Sequence, residues 1–244
     1  MKKIFAANWK LQKTPTDATA FCDQFKKQIP SGFLDQHEVF IFPQNFSFST
    51  VIDQLKSTKV VVGPQHVHTE KSGAFTGENS AEIAKSIGAK AVLLGHSERR
   101  QYFNENSVAL NKKIKLVQEL GLIPVYCIGE TLAEREANQT QTVCEKQLTE
   151  VISDIDKSKR IVIAYEPVWA IGTGKVATVE QVKEVHLQIY NKMKSLGFNQ
   201  FEILYGGSVK PDNAKQLGEI PHVDGFLIGG ASLEVDSFLK ICNA

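Results

Sequence analysis

Residues 164–175 of the chain read Ala164-Tyr165-Glu166-Pro167-Val168-Trp169-Ala170-Ile171-Gly172-Thr173-Gly174-Lys175. The apolar run that leads into this stretch, residues 161–164, predicts a short buried strand. Glu166 follows the strand, and Pro167 stops the ladder because proline has no N–H to donate. Residues 168–171 are apolar where loops are usually polar, and Gly172 and Gly174 come next. A strand end, a carboxylate and an apolar loop between proline and glycine predict a base beneath a lid.

The same pattern, a short apolar run followed by an amphipathic segment, recurs along the whole chain. The apolar runs predict strands at 4–7, 39–42, 60–63, 91–94, 123–128, 160–165, 201–205 and 225–228. The helical periodicity predicts helices at 16–28, near 45–56, and at 81–88, 107–120, 132–153, 179–196, 213–217 and 235–242.

Eight strand-helix units in 244 residues average about thirty residues each, the size of a βα unit. Nearly continuous apolar strands that alternate with helices favour a parallel sheet buried on both faces. We therefore predict an α/β protein with a closed (β/α)₈ barrel and a single domain over residues 1–244. A doubly wound open sheet is the alternative that the pattern leaves open.

The composition of the chain excludes some classes of binding partner and indicates where in the cell the protein is located. With 28 basic and 27 acidic residues the net charge is +1, so neither nucleic acid nor an anionic membrane is an expected partner. The apolar run at the N-terminus is too short for a secretion signal, and no stretch is long enough to span a membrane. The four cysteines form no CxxC pair, which is typical of reduced thiols in a cytoplasmic protein.

Unusual residues follow the predicted strands, where the active sites of barrels lie. Lys10, His96 and Glu166 come after the first, fourth and sixth runs, and Asn8 precedes Lys10. Any one of these alone is more often structural than catalytic. Together at one barrel mouth they provide a base, an imidazole donor and a fixed positive charge. That set suits proton abstraction beside a carbonyl, with the imidazole and ammonium stabilising the enediolate oxygen and with no cofactor.

Paired glycines follow the last two strands. Gly206 and Gly207 precede Ser208, and Gly229 is followed by Gly230. Loops after strands seven and eight of a barrel commonly bind phosphate through backbone N–H groups. We expect Ser208, Gly229 and Gly230 in such a site, and Gly172 can add a further N–H from the lid. Simple turn glycines remain the other interpretation.

His66 and His68 form a His-x-His pair after the third strand. Metal-dependent barrel hydrolases use such pairs, but they need further His and Asp ligands at other strand ends. His37 lies at a strand entry, His186 lies in a predicted helix and His222 precedes the eighth strand, so we predict no metal. A metal-dependent barrel hydrolase, and a phosphate-binding barrel that does not catalyse this proton transfer, are the two rival functions.

The sequence resembles the triosephosphate isomerase family along its whole length. The matching motifs are Ala7-Asn8-Trp9-Lys10, Gly73-Ala74-Phe75-Thr76-Gly77-Glu78, Leu94-Gly95-His96-Ser97-Glu98-Arg99-Arg100, Cys127-Ile128-Gly129-Glu130, the stretch 165–175, Tyr205-Gly206-Gly207-Ser208 and Asp224-Gly225-Phe226-Leu227-Ile228-Gly229-Gly230. The resemblance implies reversible isomerisation of dihydroxyacetone phosphate and D-glyceraldehyde 3-phosphate, in glycolysis and gluconeogenesis.

Residue roles carry over from the family by position. The resemblance implies that Glu166 is the base, that His96 is the electrophile and that Lys10 is the charge at the substrate. It implies that Asn8 lines the site, and that Gly172, Ser208, Gly229 and Gly230 bind the phosphate. It also implies a homodimer in which the loop from Gln65 to Asn79 reaches the partner near Lys10. The family usually has Met-Asn where this chain has Leu11-Gln12, a mild change that bears on the dimer interface.

We predict that isomerase activity survives exhaustive chelation, because His66 and His68 lack companion ligands in the sequence. The rate is measured before and after treatment with a strong chelator, with metal analysis of the same sample. A stoichiometric zinc ion whose removal abolishes the activity would contradict this prediction.

Overall fold

The computed structural model of the protein describes residues 2–171 and 176–244. Its strands are β1 (Ile4–Asn8), β2 (Glu38–Phe42), β3 (Val61–Val62), β4 (Ala91–Leu94), β5 (Ile123–Ile128), β6 (Ile161–Tyr165), β7 (Phe201–Tyr205) and β8 (Gly225–Ile228). Each strand begins and ends within one residue of a predicted apolar run. The apolar runs therefore located all eight strands.

Helices connect the strands in chain order. They are α1 (Pro15–Gln28), α2 (Phe33–Gln36), α3 (Asn45–Leu55), α4 (Ala81–Ser86), α5 (Ser97–Phe103), α6 (Ser107–Glu119), α7 (Leu132–Glu136), α8 (Thr140–Ile152), α9 (Val179–Ser195), α10 (Pro211–Gly218) and α11 (Val235–Cys242). The short helices α2 and α5 were not expected from the periodicity.

The single helix predicted over residues 132–153 is wrong, because α7 and α8 are separate. Thr131 caps α7 in a capping box with Glu134, and the helix ends after one turn. Asn138 then takes a left-handed backbone angle, φ 57°, which a continuous helix does not allow. The charged residues on both sides of the break gave a continuous pattern, so hydrophobic periodicity could not reveal it.

All eight strands are parallel, in the order β3-β2-β1-β8-β7-β6-β5-β4. Two backbone hydrogen bonds join the edges of this sheet, from Lys90 N–H to the Val62 carbonyl at 3.0 Å and from Leu93 N–H to the Pro64 carbonyl at 3.1 Å. Gly63 permits this approach, since a Cβ there would lie 2.1 Å from the Ala91 carbonyl oxygen. The predicted barrel is confirmed, and the open-sheet alternative is wrong.

The side chains of the strands form two hydrophobic clusters, one inside the barrel and one between the barrel and the helices. Alternate strand residues point inward and form one buried cluster, which includes Ile4, Phe40, Leu93 and Leu204. The intervening residues point outward and form a larger cluster with the helices. This alternation is the pattern of a packed barrel without a central channel. The strands are thus held from both faces, and their carboxyl ends form a ring at one end.

A charged cluster lies at the opposite end of the barrel. Arg160 donates to both carboxylate oxygens of Glu38, at 2.8 and 3.0 Å, and to both of Glu202, at 3.1 Å. Burial opposes the charge of Arg160, but the two carboxylates raise its pKa. The cluster joins β2 to β7, which are not neighbours in the sheet. Residues at this end of a barrel serve stability and not chemistry.

We predict that Arg160→Met lowers the melting temperature without changing kcat or KM. Removal of the guanidinium leaves two half-buried carboxylates without a donor, a loss of about 1–3 kcal/mol. For a chain of this length each kcal/mol lowers the melting temperature by about 2–4 °C.

Lys115→Met is the matched control, because Lys115 pairs with Asp154 on the exposed surface and such pairs contribute about 0–1 kcal/mol. Thermal unfolding and steady-state kinetics are measured on both variants. Equal melting temperatures for the two variants would show that the Arg160 cluster is not a stabilising tie.

Candidate active site

A pocket of about 300 Å³ opens at the carboxyl ends of the strands. Its walls include seven of the residues predicted from the sequence, namely Asn8, Lys10, His96, Glu166, Ser208, Gly229 and Gly230. The eighth, Gly172, lies outside the described residues. The structure therefore brings together side chains that come from β1, β4, β6, β7 and β8, far apart in the chain.

Glu166 is a buried carboxylate just beyond β6. Its Oε1 lies 3.0 Å from His96 Nε2, and its Oε2 accepts a hydrogen bond from Ser97 N–H at 3.2 Å. Burial acts to raise the pKa of Glu166, but the His96 imidazole, the Ser97 N–H and the Lys10 ammonium outweigh it and lower the pKa below that of an ordinary glutamate. Glu166 is therefore held as the carboxylate, the form that accepts a proton.

His96 is the N-cap residue of α5. Its Nδ1 accepts a hydrogen bond from Glu98 N–H at 3.2 Å. Burial acts to lower the pKa of His96, but the adjacent Glu166 carboxylate outweighs burial and holds the pKa above that of an ordinary histidine. The protonation state is therefore read from the contact at Nδ1. An acceptor at Nδ1 leaves the ring proton on Nε2, since an imidazolium would donate at both nitrogens. The ring thus presents an Nε2–H donor to the pocket.

Lys10 has a strained backbone with φ 51°, which is uncommon for a residue with a side chain. Its N–H donates to Asn8 Oδ1 at 3.1 Å, and its carbonyl accepts from Gln65 Nε2 at 2.8 Å. The Lys10 ammonium lies 2.6 Å from Glu98 Oε1. These three partners fix both the backbone and the charge of Lys10 at the edge of the pocket.

Glycines after β7 are needed because the backbone is crowded there. A Cβ at Gly206 would lie 2.9 Å from Glu166 Cγ, and a Cβ at Gly207 would lie 2.2 Å from the Tyr205 hydroxyl oxygen. After β8, Gly229 begins a short 3₁₀ turn, and the Ser232 hydroxyl donates to its carbonyl at 2.7 Å. Both turns bring backbone against the pocket, the arrangement that an anionic group requires.

The predicted lid is described only at its beginning. Residues Val168–Ala170 form a 3₁₀ turn, and Trp169 Nε1 donates to Glu130 Oε1 at 2.9 Å. The Tyr165 hydroxyl donates to the same carboxylate at 3.1–3.2 Å. Residues 172–175 lie outside the described residues, so the far hinge of the predicted lid does too. The near hinge is anchored to the buried Glu130.

His66 and His68 are occupied by other contacts. His66 Nε2 lies 2.9 Å from Asn79 Nδ2, and the His68 ring lies 4.0 Å from the ring of Phe75, centroid to centroid. Within residues 2–171 and 176–244, no group of three His, Cys, Asp or Glu side chains could hold a metal ion.

In the same part of the chain, no helix has both the length and the apolar character to cross a bilayer.

Two residues of the site had no predicted role. Glu98 is part of the His96-Ser97-Glu98 motif, and its partner Lys10 is 88 positions away. Gln65 follows the third strand, but its hydrogen bonds to the Lys10 and Phe42 carbonyls depend on the barrel geometry. Their position after strands was the only signal in the sequence, and it does not identify a partner.

Comparisons with known proteins agree with this geometry. The sequence model of the family "Triosephosphate isomerase" matches residues 3–244. A triosephosphate isomerase of Bdellovibrio bacteriovorus is 52% identical over 243 residues and covers 100% of both chains. One of Solibacter usitatus is 42% identical over 248 residues and covers 99% of each.

A solved structure gives the same result. The crystal structure of triosephosphate isomerase from Bartonella henselae superimposes with a TM-score of 0.90 at 36% identity, covering 100% of this chain and 98% of the other. The full-length match in sequence and in fold leads to one conclusion: the chain belongs to the triosephosphate isomerase family.

Proposed function

We propose that Glu166, His96 and Lys10 carry out the family's reaction, the interconversion of dihydroxyacetone phosphate and D-glyceraldehyde 3-phosphate. The observation that carries this proposal is the 3.0 Å approach of His96 Nε2 to Glu166 Oε1 in a pocket that Lys10 also lines. A carboxylate base and a neutral N–H donor that meet at one point can act on adjacent atoms of one substrate.

The reaction begins when a substrate carbonyl oxygen takes the place of Glu166 at the Nε2–H of His96. Glu166 then removes a proton from the carbon beside the carbonyl, and negative charge develops on the oxygen. The His96 donor and the Lys10 ammonium stabilise that charge in the enediolate. Protonated Glu166 returns the proton to the neighbouring carbon, and a second proton moves between the two oxygens. His96 Nε2 gives its proton to the former carbonyl oxygen and takes the proton of the neighbouring hydroxyl, which becomes the new carbonyl. Atoms balance without a cofactor.

The substrate phosphate binds where the loops after β7 and β8 line the pocket. Ser208, Gly229 and Gly230 line the pocket there, and Asn8 lines the same pocket beside Lys10. Gly172, outside the described residues, is assigned to the phosphate by family position alone. The apolar segment from Val168 closes over the phosphate and excludes water, which protects the enediolate from loss of phosphate.

The domain number, the metabolic role and the location are proposed from the family match and from the cysteines. The family match over residues 3–244 supports a single domain, and the family's reaction belongs to glycolysis and gluconeogenesis. Cys22, Cys127, Cys144 and Cys242 are buried and unpaired, which supports a cytoplasmic location, where thiols stay reduced.

We also propose a homodimer. Residues 71–78 are all exposed, and Phe75 at the tip is 43% exposed. Around Lys10, a second pocket of about 330 Å³ is lined by Leu11, Tyr102 and Phe103 among others. Each of these three side chains is more than half exposed. A protruding apolar tip and an apolar recess on one chain fit each other across a twofold axis.

We predict that Glu166→Gln lowers kcat by about 10²–10⁴, the usual cost of losing a general base, while the protein stays folded. Glu136→Gln is the matched control, because Glu136 is an exposed carboxylate on α7, and its activity should equal that of the parent. A coupled isomerase assay and circular dichroism decide the outcome. A Glu166→Gln enzyme within about threefold of the parent would place the base elsewhere.

We predict that Thr76→Arg gives a folded monomer with strongly reduced activity. The added charge at the loop tip cannot enter an apolar recess of the partner, and Lys10 would then lose the packing that holds it in position. Thr149→Arg, on the exposed part of α8, is the control for the charge itself. Ultracentrifugation and the coupled assay are run on the same samples. A fully active Thr76→Arg monomer, or a parent chain that sediments as a monomer at micromolar concentration, would refute the dimer.

A further inference from the structure

Gln147 makes both of its side-chain hydrogen bonds to the backbone of a single residue beside the active site. Its Oε1 accepts from Gly129 N–H at 2.9 Å, and its Nε2 donates to the Gly129 carbonyl at 3.0 Å. Gln147 lies on α8 and does not line the pocket that holds His96 and Lys10. Both polar atoms of the amide are therefore engaged by the backbone of residue 129.

These two hydrogen bonds substitute for backbone hydrogen bonds that a neighbouring strand would otherwise make to Gly129. The Ile128 carbonyl accepts from Glu166 N–H at 2.7 Å, and the Glu130 carbonyl accepts from Val168 N–H at 3.1 Å, so β5 and β6 keep their ladder beyond the strand ends. Backbone groups of successive strand residues point to opposite sides. The N–H and carbonyl of Gly129 thus face the side of β4, but β4 has already ended at Leu94. The side-chain amide of Gln147 supplies the two hydrogen bonds that a longer β4 would have made.

Gly129 lies directly against the base. A Cβ at Gly129 would be 1.7 Å from the Glu166 carbonyl oxygen and 3.3 Å from its Cα. A displacement of Gly129 must therefore displace the backbone of Glu166, because close-packed atoms leave no free space between them. The hydrogen bonds on either side, at Ile128 and Glu130, couple the same segment to Glu166 and Val168.

We infer that Gln147 is a positioning residue for Glu166. This inference rests on the proposed role of Glu166 as the base. Loss of the amide leaves a donor and an acceptor on Gly129 unpaired, and the segment from Ile128 to Glu130 moves to satisfy them elsewhere. The Glu166 carboxylate moves with it, and a displacement of about 1 Å can lower a rate about a hundredfold.

Gln147→Met is the test variant, since it keeps the length of the side chain and removes both hydrogen bonds. Gln141→Met is the matched control, because Gln141 lies on the same helix and its amide donates to Glu145 on the surface. Each substitution is made in the parent chain and in the Glu166→Gln variant. The double-mutant cycle then measures whether residue 147 acts through the carboxylate of residue 166.

In the parent, Gln147→Met should lower kcat by about ten- to a hundredfold, with KM and inhibition by inorganic phosphate changed less than about twofold. In the Glu166→Gln background it should change the residual rate less than about twofold, because residues that act as a unit are not additive. Gln141→Met should change neither rate. A purely structural role would lower the active fraction equally in both backgrounds.

Equal fold-losses in the two backgrounds, or no loss in the parent, would overturn the inference. A Glu166→Gln enzyme as active as the parent would instead refute the proposed base, so the two failures are distinguishable. If Gln147→Met does not fold by circular dichroism, Gln147→Asn is used in the same cycle. Its side chain is one methylene shorter and cannot reach both the N–H and the carbonyl of Gly129.

Discussion

The parallel pairing of all eight strands is the constraint on which the rest of the structure depends. Because every strand runs the same way, the carboxyl ends of β1, β4, β6, β7 and β8 lie in one ring. Backbone hydrogen bonds continue past several of those ends, as from Glu166 N–H to the Ile128 carbonyl. The reactive side chains are therefore attached to backbone that is still part of the sheet. Rigid support of this kind gives a more precise site than a free loop does.

The same ring makes it possible to bury a charged group. Glu166 is removed from water, yet two donors, His96 Nε2–H and Ser97 N–H, satisfy its oxygens. A buried carboxylate without such partners would take up a proton and lose its function as a base. Lys10 shows the complementary case, in which a strained backbone is tolerated because Asn8 and Gln65 hold it on both sides. Strain of this kind is characteristic of functional positions.

The sequence predicted the fold and the site residues through two different signals. Apolar runs located the strands because a parallel strand in a barrel is buried on both faces, as the run 161–164 shows. Positions after those runs then indicated Lys10, His96 and Glu166. The hydrogen-bond partners could not be predicted, since Glu98 meets Lys10 and Gln147 meets Gly129 only after the barrel has closed. The break between α7 and α8 depends on the left-handed backbone of one residue, Asn138. The spacing of hydrophobic residues in the sequence carries no information about such a backbone angle.

The charged cluster of Glu38, Arg160 and Glu202 at the far end of the barrel also constrains how the chain folds during its synthesis. Glu38 leaves the ribosome early, Arg160 follows much later, and Glu202 comes last of the three. Since Arg160 joins the other two, a nascent chain that stops short of Glu202 cannot complete this charged cluster. The free edge of β1 also stays unpaired until β8 has been made, and it is the kind of edge that other chains can pair with. The interval before β8 is made is thus the time when the nascent chain is most exposed to pairing with other chains, and a chaperone that covers the free edge of β1 would protect it then.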